Sequence, residues 1–577
     1  MRSRNYFALS ALCLLLTVLL VSQPQAVSQT AADKGVASTT GLVVSVQAMA
    51  SDVGASILHQ GGNAVDAAVA TAFALAVTHP SAGNIGGGGF MVVRKPSGDT
   101  AIFDFRERAP LQATRDMYLD ARGNINRSLT AAGYLAPGVP GTVRGMELAH
   151  KKFGKLQWKD VVMPAVKLAE DGFPLSEALA RSLNRELEGP MKSFPASVQA
   201  YGKPGGGRWA AGDKIVLKDL GKTLRAIATE GADVFYKGWI ADCIAEDMKA
   251  NNGLITKEDL AAYEARQRTP LTGKFRGYDI ISMPPPSSGG VGLIEMLNIL
   301  ENFDLKKYGR MAPETLHLMI EAMRRTYLDR ARFLADPDFV KIPVERLTSK
   351  EYAKTLASQI DPNKASNSVA LGKDIVTLKP VAERDETTQF SVLDKDGMAV
   401  SQTFTLEGGY GSKVVVKGAG FLLNNEMGDF NKKAGETNEL GDIGTPPNLI
   451  EPGKRMLSSM TPTMVTKNGK LVLVTGSPGG RTIINTVLSI VLGVTEFGMD
   501  GRQAVDSVRM HHQWLPDSIT FEENSLNAST LARLKEMGHD IRQRGRQGDG
   551  HSIFVDLTTG IAYGVNDTRS PDSKASK

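Results

Sequence analysis

"ERDETTQFSVLDKDGMAVSQTFTL", residues 383–406, is the stretch on which the reading of the fold turns. A charged run meets two threonines, Thr387 and Thr388. The residues after them predict a β-hairpin. Phe390 and Val392 alternate with Ser391 and Leu393, Asp394-Lys395-Asp396-Gly397 is a turn signal, and Val400, Thr403, Phe404 and Thr405 favour a second strand. The pair thus stands where a polar linker meets a strand. A threonine hydroxyl is a weak nucleophile until a base takes its proton, and one such base is the α-amine of the threonine itself. That amine exists only if the threonine begins a chain. A cut between Glu386 and Thr387 would create one, with a pKa near 8, on the same residue as the hydroxyl. The local pattern does not choose between Thr387 and Thr388, and Thr-Thr before a strand is ordinary β-propensity.

Outward from this junction the two sides differ. Downstream, strand signals dominate: "AVSQTFTL", "GFLLNN", "TPTMVTKNGKLVLVTGS" with a hairpin turn at Asn468-Gly469, "SITFE" and "GHSIFVDLTTGIAYGVND". The chief helix there is "RTIINTVLSIVLGV", after "GSPGG". Upstream, "GGNAVDAAVATAFALAVTHP" reads as a helix capped by Asn63 and stopped before Pro80. Residues 140–270 read as mostly helical, and residues 311–336 as one more helix. Residues 340–386 read as a surface linker, and "RSPDSKASK" as a disordered tail. "GNIGGGGF" has no GK[ST] and precedes a strand, so it is no phosphate loop. Its glycines permit close approach by a ligand or another segment. Helix-rich first and strand-rich second is an α+β or layered pattern. The length, 577 residues, would allow about four domains.

Composition excludes several classes. The chain is 42% hydrophobic and 22% charged, as a globular protein is, and 67 basic against 62 acidic residues is too even for nucleic acid. Arg2 and Arg4 precede an apolar run, Phe7–Val21, which is short for a membrane span and suits an export signal cleaved after about Ala26, the alternative being an uncleaved N-terminal anchor. No second apolar run is long enough to span. An exported, periplasmic or extracellular protein is expected. Cys13 lies in that leader, so Cys243 has no partner for a disulfide. The eight histidines are scattered without metal-site spacing, and no metal is expected.

The stretch "TTQFSVLDKDGMAVSQTFTL" resembles the start of the small subunit of the γ-glutamyltransferases (γ-glutamyltranspeptidases, glutathione hydrolases). So do "GGNAVDAAVA", "GNIGGGGFMVV", "DFRERAP", "PGVPGTVRGMELAH", "MPPPSSGG", "LLNNEMGDF", "MLSSMTPT" and "GSPGG", in family order from about residue 40 onward. The resemblance implies an N-terminal-nucleophile hydrolase fold, a four-layer αββα sandwich of α+β class. It implies residues 1–26 as signal peptide, 27–386 as large subunit and 387–577 as small subunit, joined as a heterodimer after self-cleavage between Glu386 and Thr387. Thr387 matches the nucleophile, and Thr405 the hydroxyl that supports it. Gly479 and Gly480 match the oxyanion-hole glycines. Arg106 matches the arginine for the substrate's α-carboxylate, helped by Ser458 and Ser459, and Glu426 and Asp429 match the acids for its α-ammonium.

Two departures stand out. Glu407 occupies a position where many members have asparagine, which bears on the acyl group accepted. Gly428 replaces a frequently acidic residue; because Asp429 is kept, Gly428 is read as lying behind the residues that touch the substrate. Residues 431–457 suit a lid, with Leu440 about where an aromatic residue often closes it. The implied substrates are glutathione and other γ-glutamyl compounds, with water, amino acids or dipeptides as acceptors and no cofactor. The rival is a same-fold acylase of glutaryl-cephalosporin type. A glutaryl group lacks the ammonium and would leave Glu426 and Asp429 unpaired.

Overall fold

Two antiparallel sheets of seven strands each form the centre of the computed structural model, which describes residues 33–377, 387–439 and 441–577. The export leader, Glu386 and Leu440 lie outside the described residues, and so do the expectations that rest on them. The first sheet carries the junction hairpin. Its strands run in the order Lys574–Ser576, Gly41–Ser45, Thr388–Asp394, Ala399–Thr405, Gly88–Arg94, Thr100–Asp104 and Arg266–Arg268. The second runs Val36–Ser38, Ala562–Val565, Ser552–Val555, Lys470–Thr475, Thr463–Lys467, Tyr278–Ser282 and Leu271–Phe275.

The side-chain period of two sorts each strand between two cores. Along Gly88–Arg94, Met91 and Val93 pack with the helices Ala48–His59, Ala64–Thr78 and Trp158–Asp171. Phe90 and Val92 pack instead with the second sheet and with the helices Gly289–Leu300, Pro313–Phe333 and Thr482–Thr495. The layers are therefore helix, sheet, sheet, helix, the expected αββα sandwich. The three central strands of the first sheet are buried throughout, as strands covered on both faces must be. Polar contacts also lock the sheets: Ser391 Oγ donates to the His551 carbonyl at 2.7 Å, and Ser401 Oγ to the Thr475 carbonyl at 2.8 Å.

The hairpin forms as its sequence predicts. Asp394 Oδ1 accepts from the backbone N–H groups of Asp396 and Met398 at 3.0 and 2.9 Å, and Gly397 takes the left-handed φ of 89°. Pairing then sets Thr388 opposite Phe404, so Thr387 emerges beside Thr405 at the open end. The four successive glycines of "GNIGGGGF", Gly86 to Gly89, serve close approach by other segments. A Cβ on Gly86, Gly87, Gly88 or Gly89 would collide with the carbonyl oxygen of Leu422, Thr405, Phe105 or Thr403 respectively.

Several expectations need correction. Of the expected surface linker, residues 340–377 are described and are not featureless: Val344–Leu347, Lys350–Ser358 and Ser368–Leu371 are helical. A narrow stripe of Ala353, Leu356 and Ala357, set among polar residues, holds the second of these to the core. The C-terminus is not a loose tail. Lys574–Ser576 pairs with Gly41–Ser45, and Lys574 Nζ reaches Asp52 at 2.7 Å. Backbone pairing to an edge needs no apolar alternation, so composition concealed it. "GFLLNN" makes only isolated bridges at Leu422 and Leu423. Lys34–Lys577 is one unit, where length suggested several.

Candidate active site

Thr387 stands one residue before the strand Thr388–Asp394, and its Oγ1 donates to Thr405 Oγ1 at 3.4 Å, long for a hydroxyl pair. Thr405 Oγ1 also accepts from the Glu407 backbone N–H at 2.8 Å. Thr405 is the last residue of its strand, opposite Gly88, and its carbonyl accepts from Asn84 Nδ2 at 2.8 Å. Asn84 Oδ1 is held in turn by the Gly87 N–H and by Thr142 Oγ1. Asn84 escaped the sequence reading because its neighbours drew attention as glycines.

A small cavity of about 30 Å³ opens beside these hydroxyls. Its walls include Thr387, Thr405, Arg106, Glu407, Glu426 and Asp429, with Ser458, Ser459 and Gly480 across from them. Thr388 takes no part in it and is buried within its strand. Except for Gly479, which borders a neighbouring cavity, every described site residue expected from the sequence lines this one space.

Arg106 is buried, with 1% of its side chain exposed, and is held as a fork. Nη1 lies 2.7 Å from Glu426 and 3.5 Å from Glu107, and Nη2 bonds Asp429. Nε donates to the Met456 carbonyl at 3.2 Å. Burial pulls the guanidinium down, but Glu426, Asp429 and Glu107 more than offset it and raise it above its ordinary value. Burial pushes Glu426 well up, against the opposing pull of Arg106. Burial likewise pushes Glu107 up to about 7, with Arg106 again opposing. Glu107 was missed in the sequence, where it is one more charge in "DFRERAP". The Asp429 side chain remains 34% exposed and faces the cavity. The cationic and anionic residues expected to meet the α-carboxylate and the α-ammonium of one substrate head therefore touch one another directly.

The acids are positioned by amide side chains. Asn424 Oδ1 accepts from the Glu426 N–H at 3.0 Å, and its Nδ2 donates to the carbonyls of Gly86 and Gly138 at 2.8 Å. Asn425 Oδ1 accepts from the Gly408 N–H at 2.9 Å. Glu407 lies between these anchors at a φ of 75°, left-handed backbone that costs about 1–2 kcal/mol for a residue of its kind and less for asparagine. A Cβ on Gly428 would come 2.5 Å from Glu407 Oε1. Gly428 thus makes the room that the Glu407 carboxylate fills, so the two departures in the sequence are one arrangement.

Across the cavity, Ser458 Oγ accepts from the Met460 N–H at 3.1 Å, and Ser459 Oγ accepts from Arg330 Nη2 at 3.1 Å. Both hydroxyls keep a proton to donate. The Ser458 carbonyl is clamped by the N–H and Oγ of Ser288 at 2.8 and 2.7 Å, from "MPPPSSGG". A Cβ on Gly289 would collide with the Met460 carbonyl.

Gly479 and Gly480 turn the chain with φ of 121° and 52°, just before the helix Thr482–Thr495. Their carbonyls are taken by the N–H groups of Thr482 and Ile483 at 3.0 and 3.2 Å. Among the described residues neither glycine N–H donates to a protein acceptor. Two N–H donors just before a helix N-terminus, with Gly480 lining the cavity that also holds Thr387, suit a developing oxyanion.

One further cluster could offer metal ligands. Donor atoms of His317, Glu321 and His539 lie within 4.8 Å of one another. Protein groups already engage donor atoms of all three residues: His317 Nδ1 is 2.8 Å from His539 Nε2, and Glu321 binds Arg324 at 3.2 Å and Arg325 at 2.6 Å.

Residues 50–576 match the family model described as gamma-glutamyltranspeptidase. The chain is 48% identical over 534 residues to a glutathione hydrolase proenzyme of Escherichia coli, covering 92% of this chain and 91% of that one. Among solved structures it superposes on a cephalosporin acylase from Bacillus halodurans with a TM-score of 0.82 at 26% identity, over 96% of this chain and 99% of the other. It superposes on a Helicobacter pylori gamma-glutamyltranspeptidase chain with a TM-score of 0.54 at 48% identity, over 55% of this chain and 91% of that chain.

Proposed function

Because the chain belongs to the γ-glutamyltranspeptidase family, we propose that it is a precursor that cuts itself between Glu386 and Thr387 and then transfers γ-glutamyl groups. The large subunit is residues 27–386 and the small subunit 387–577, kept together by the shared sheets. Each sheet contains strands from both sides of the cut, and both cores draw on both pieces, so neither piece has a core of its own. In self-cleavage, Thr387 Oγ attacks the Glu386 carbonyl carbon. The C–N bond breaks as the ester forms, the α-amine takes the proton, and water then hydrolyses the ester.

In turnover, the new α-amine accepts the Thr387 hydroxyl proton while Oγ attacks the γ-carbonyl of glutathione or a related amide. Gly479 and Gly480 donate to the oxyanion. The protonated amine gives its proton to the leaving peptide nitrogen, and water, an amino acid or a dipeptide completes the transfer. The donor's α-carboxylate takes the Arg106 fork and the Ser458 and Ser459 hydroxyls. Its α-ammonium takes Glu426, Asp429 and Glu407. No cofactor takes part.

The observation that carries this reading is that one small cavity brings the Thr387 hydroxyl together with a buried arginine and three carboxylates. A zwitterionic amino-acid head needs both signs met once it leaves water. The "proenzyme" in the name of the Escherichia coli relative supports the maturation. The apolar leader supports export to the periplasm or beyond. Among the described residues no helix is long and apolar enough to cross a membrane.

The likeness to a cephalosporin acylase favours a second reading, an amidase for glutaryl groups. Hydrolysis of γ-glutamyl-p-nitroanilide against glutaryl-p-nitroanilide tests the two. Preference for the γ-glutamyl compound, lost in Thr387→Ala, is expected. Preference for the glutaryl compound would overturn the first reading.

A further inference from the structure

A second and much larger cavity, about 790 Å³ over the described residues, is bordered by Gly479, as the small one is by Gly480. Arg481 lines both spaces. Four arginines, Arg481, Arg542, Arg544 and Arg546, line the larger one, together with the acidic residues Glu439 and Asp517. Asp517 is already bound by Arg324 and by His512.

The local sequence explains the arginines. "IRQRGRQ" begins as the strand Ile541–Arg544, paired in parallel with Ile519–Glu522. The period of two sets Arg542 and Arg544 on one face, and Arg546 follows at the same interval. Arg542 is met by Asp540 at 3.1 Å, and Arg546 by Asp549 at 2.8 Å and Ser570 at 3.1 Å. Among the described residues Arg544 has no carboxylate within ion-pair distance and no hydrogen-bond partner for its guanidinium. His511, on the same wall, is pushed down to about 3, first by burial and also by Arg544 and Arg481. It adds no charge of its own at neutral pH.

We infer that this cavity binds the free C-terminal carboxylate of the peptide on the amine side of the reaction, with Arg544 as its specificity-determining contact. This rests on the reading of the small cavity as the γ-glutamyl site. The amine that leaves on acylation and the amine that attacks the acyl-enzyme occupy one region, because each path retraces the other. The γ-glutamyl head fills the small cavity, so the amine-side peptide extends away from it past the Gly479–Gly480 turn. A peptide carboxylate there meets an excess of arginine, whereas an aromatic amine offers nothing for Arg544 to hold.

The test compares wild type, Arg544→Ala and Arg544→Lys with two donors, glutathione and γ-glutamyl-p-nitroanilide, and two acceptors, glycylglycine and glycylglycinamide. The donor pair reads the leaving peptide, and the acceptor pair reads the incoming one. In Arg544→Ala the ratio of kcat/KM for glutathione to that for the anilide is expected to fall about fivefold, through KM, as one exposed charge contact allows. The ratio for glycylglycine over its amide is expected to fall likewise. Arg544→Lys keeps most of both ratios, and raised salt narrows the difference. Unchanged ratios, or equal losses with and without the carboxylate, would overturn the inference. A wild-type enzyme inert on the anilide would instead overturn the γ-glutamyl reading beneath it.

Discussion

The hydroxyls of Thr387 and Thr405 face each other at 3.4 Å across the open end of one hairpin, the first donating to the second. The contact orients the nucleophile without taking its proton away, since Thr405 Oγ1 also receives the Glu407 N–H. Thr405→Val keeps the shape and removes the acceptor. Self-cleavage is expected to slow, and kcat of whatever matures to fall about 10- to 100-fold. Gel-based maturation time courses with active-site titration check this. Wild-type rates in both would refute the role.

Arg106 holds three carboxylates by a planar fork that lysine cannot reproduce. Arg106→Lys preserves the charge but leaves partners unmet. We expect kcat/KM for a γ-glutamyl anilide to fall about 100-fold, mainly through KM, with subunit assembly retained. A normal KM would contradict the assignment.

Glu407 and Gly428 share one space, so their substitutions should couple. Gly428→Asp alone forces the Glu407 carboxylate aside, and activity is expected to fall about tenfold. The double variant Glu407→Asn with Gly428→Asp relieves both the clash and the left-handed strain, and should recover most of the loss. Additive effects in the double-mutant cycle would show that the two residues are independent.

Asp549 tests the electrostatics away from the nucleophile. Burial pushes its carboxyl up to about 6 from 3.8, against the pull of Arg546. A raised folded pKa gives a contribution to stability that is complete below about pH 4 and lost as pH rises through 6. Asp549→Asn lacks that loss. Relative to wild type the variant should gain roughly 2–3 kcal/mol between pH 4 and pH 7.5. Urea midpoints at the two pH values measure it, and a difference that does not change with pH would count against the shift.

Much of the fold was legible because its central elements follow simple periods. The hairpin after Thr387 alternates, and Asn468 and Gly469 carry the left-handed φ that a tight turn requires. Lys574–Ser576 was not legible, since it is held by backbone pairing and by Asp52 rather than by its own pattern. The helix Lys350–Ser358 was hidden by a polar majority around three small or apolar contacts. At the site, motifs singled out Arg106, Glu426 and Asp429, but not that they bind one another, because residues 106 and 426 meet only through the folded chain. Asn84 and Asn424 look like loop residues in sequence, and only their amide contacts reveal what they hold. The link between Glu407 and Gly428 is a matter of a few ångströms that no spacing expresses.

The central claim is that Thr387 becomes a chain terminus. Intact mass with N-terminal sequencing of the purified protein, expressed from its full sequence, tests this most directly. The account predicts two chains, the smaller beginning "TTQFSVLD", and a single uncut chain in Thr387→Ala. A folded, active wild-type protein that stays in one piece, or that is cut elsewhere, would contradict it.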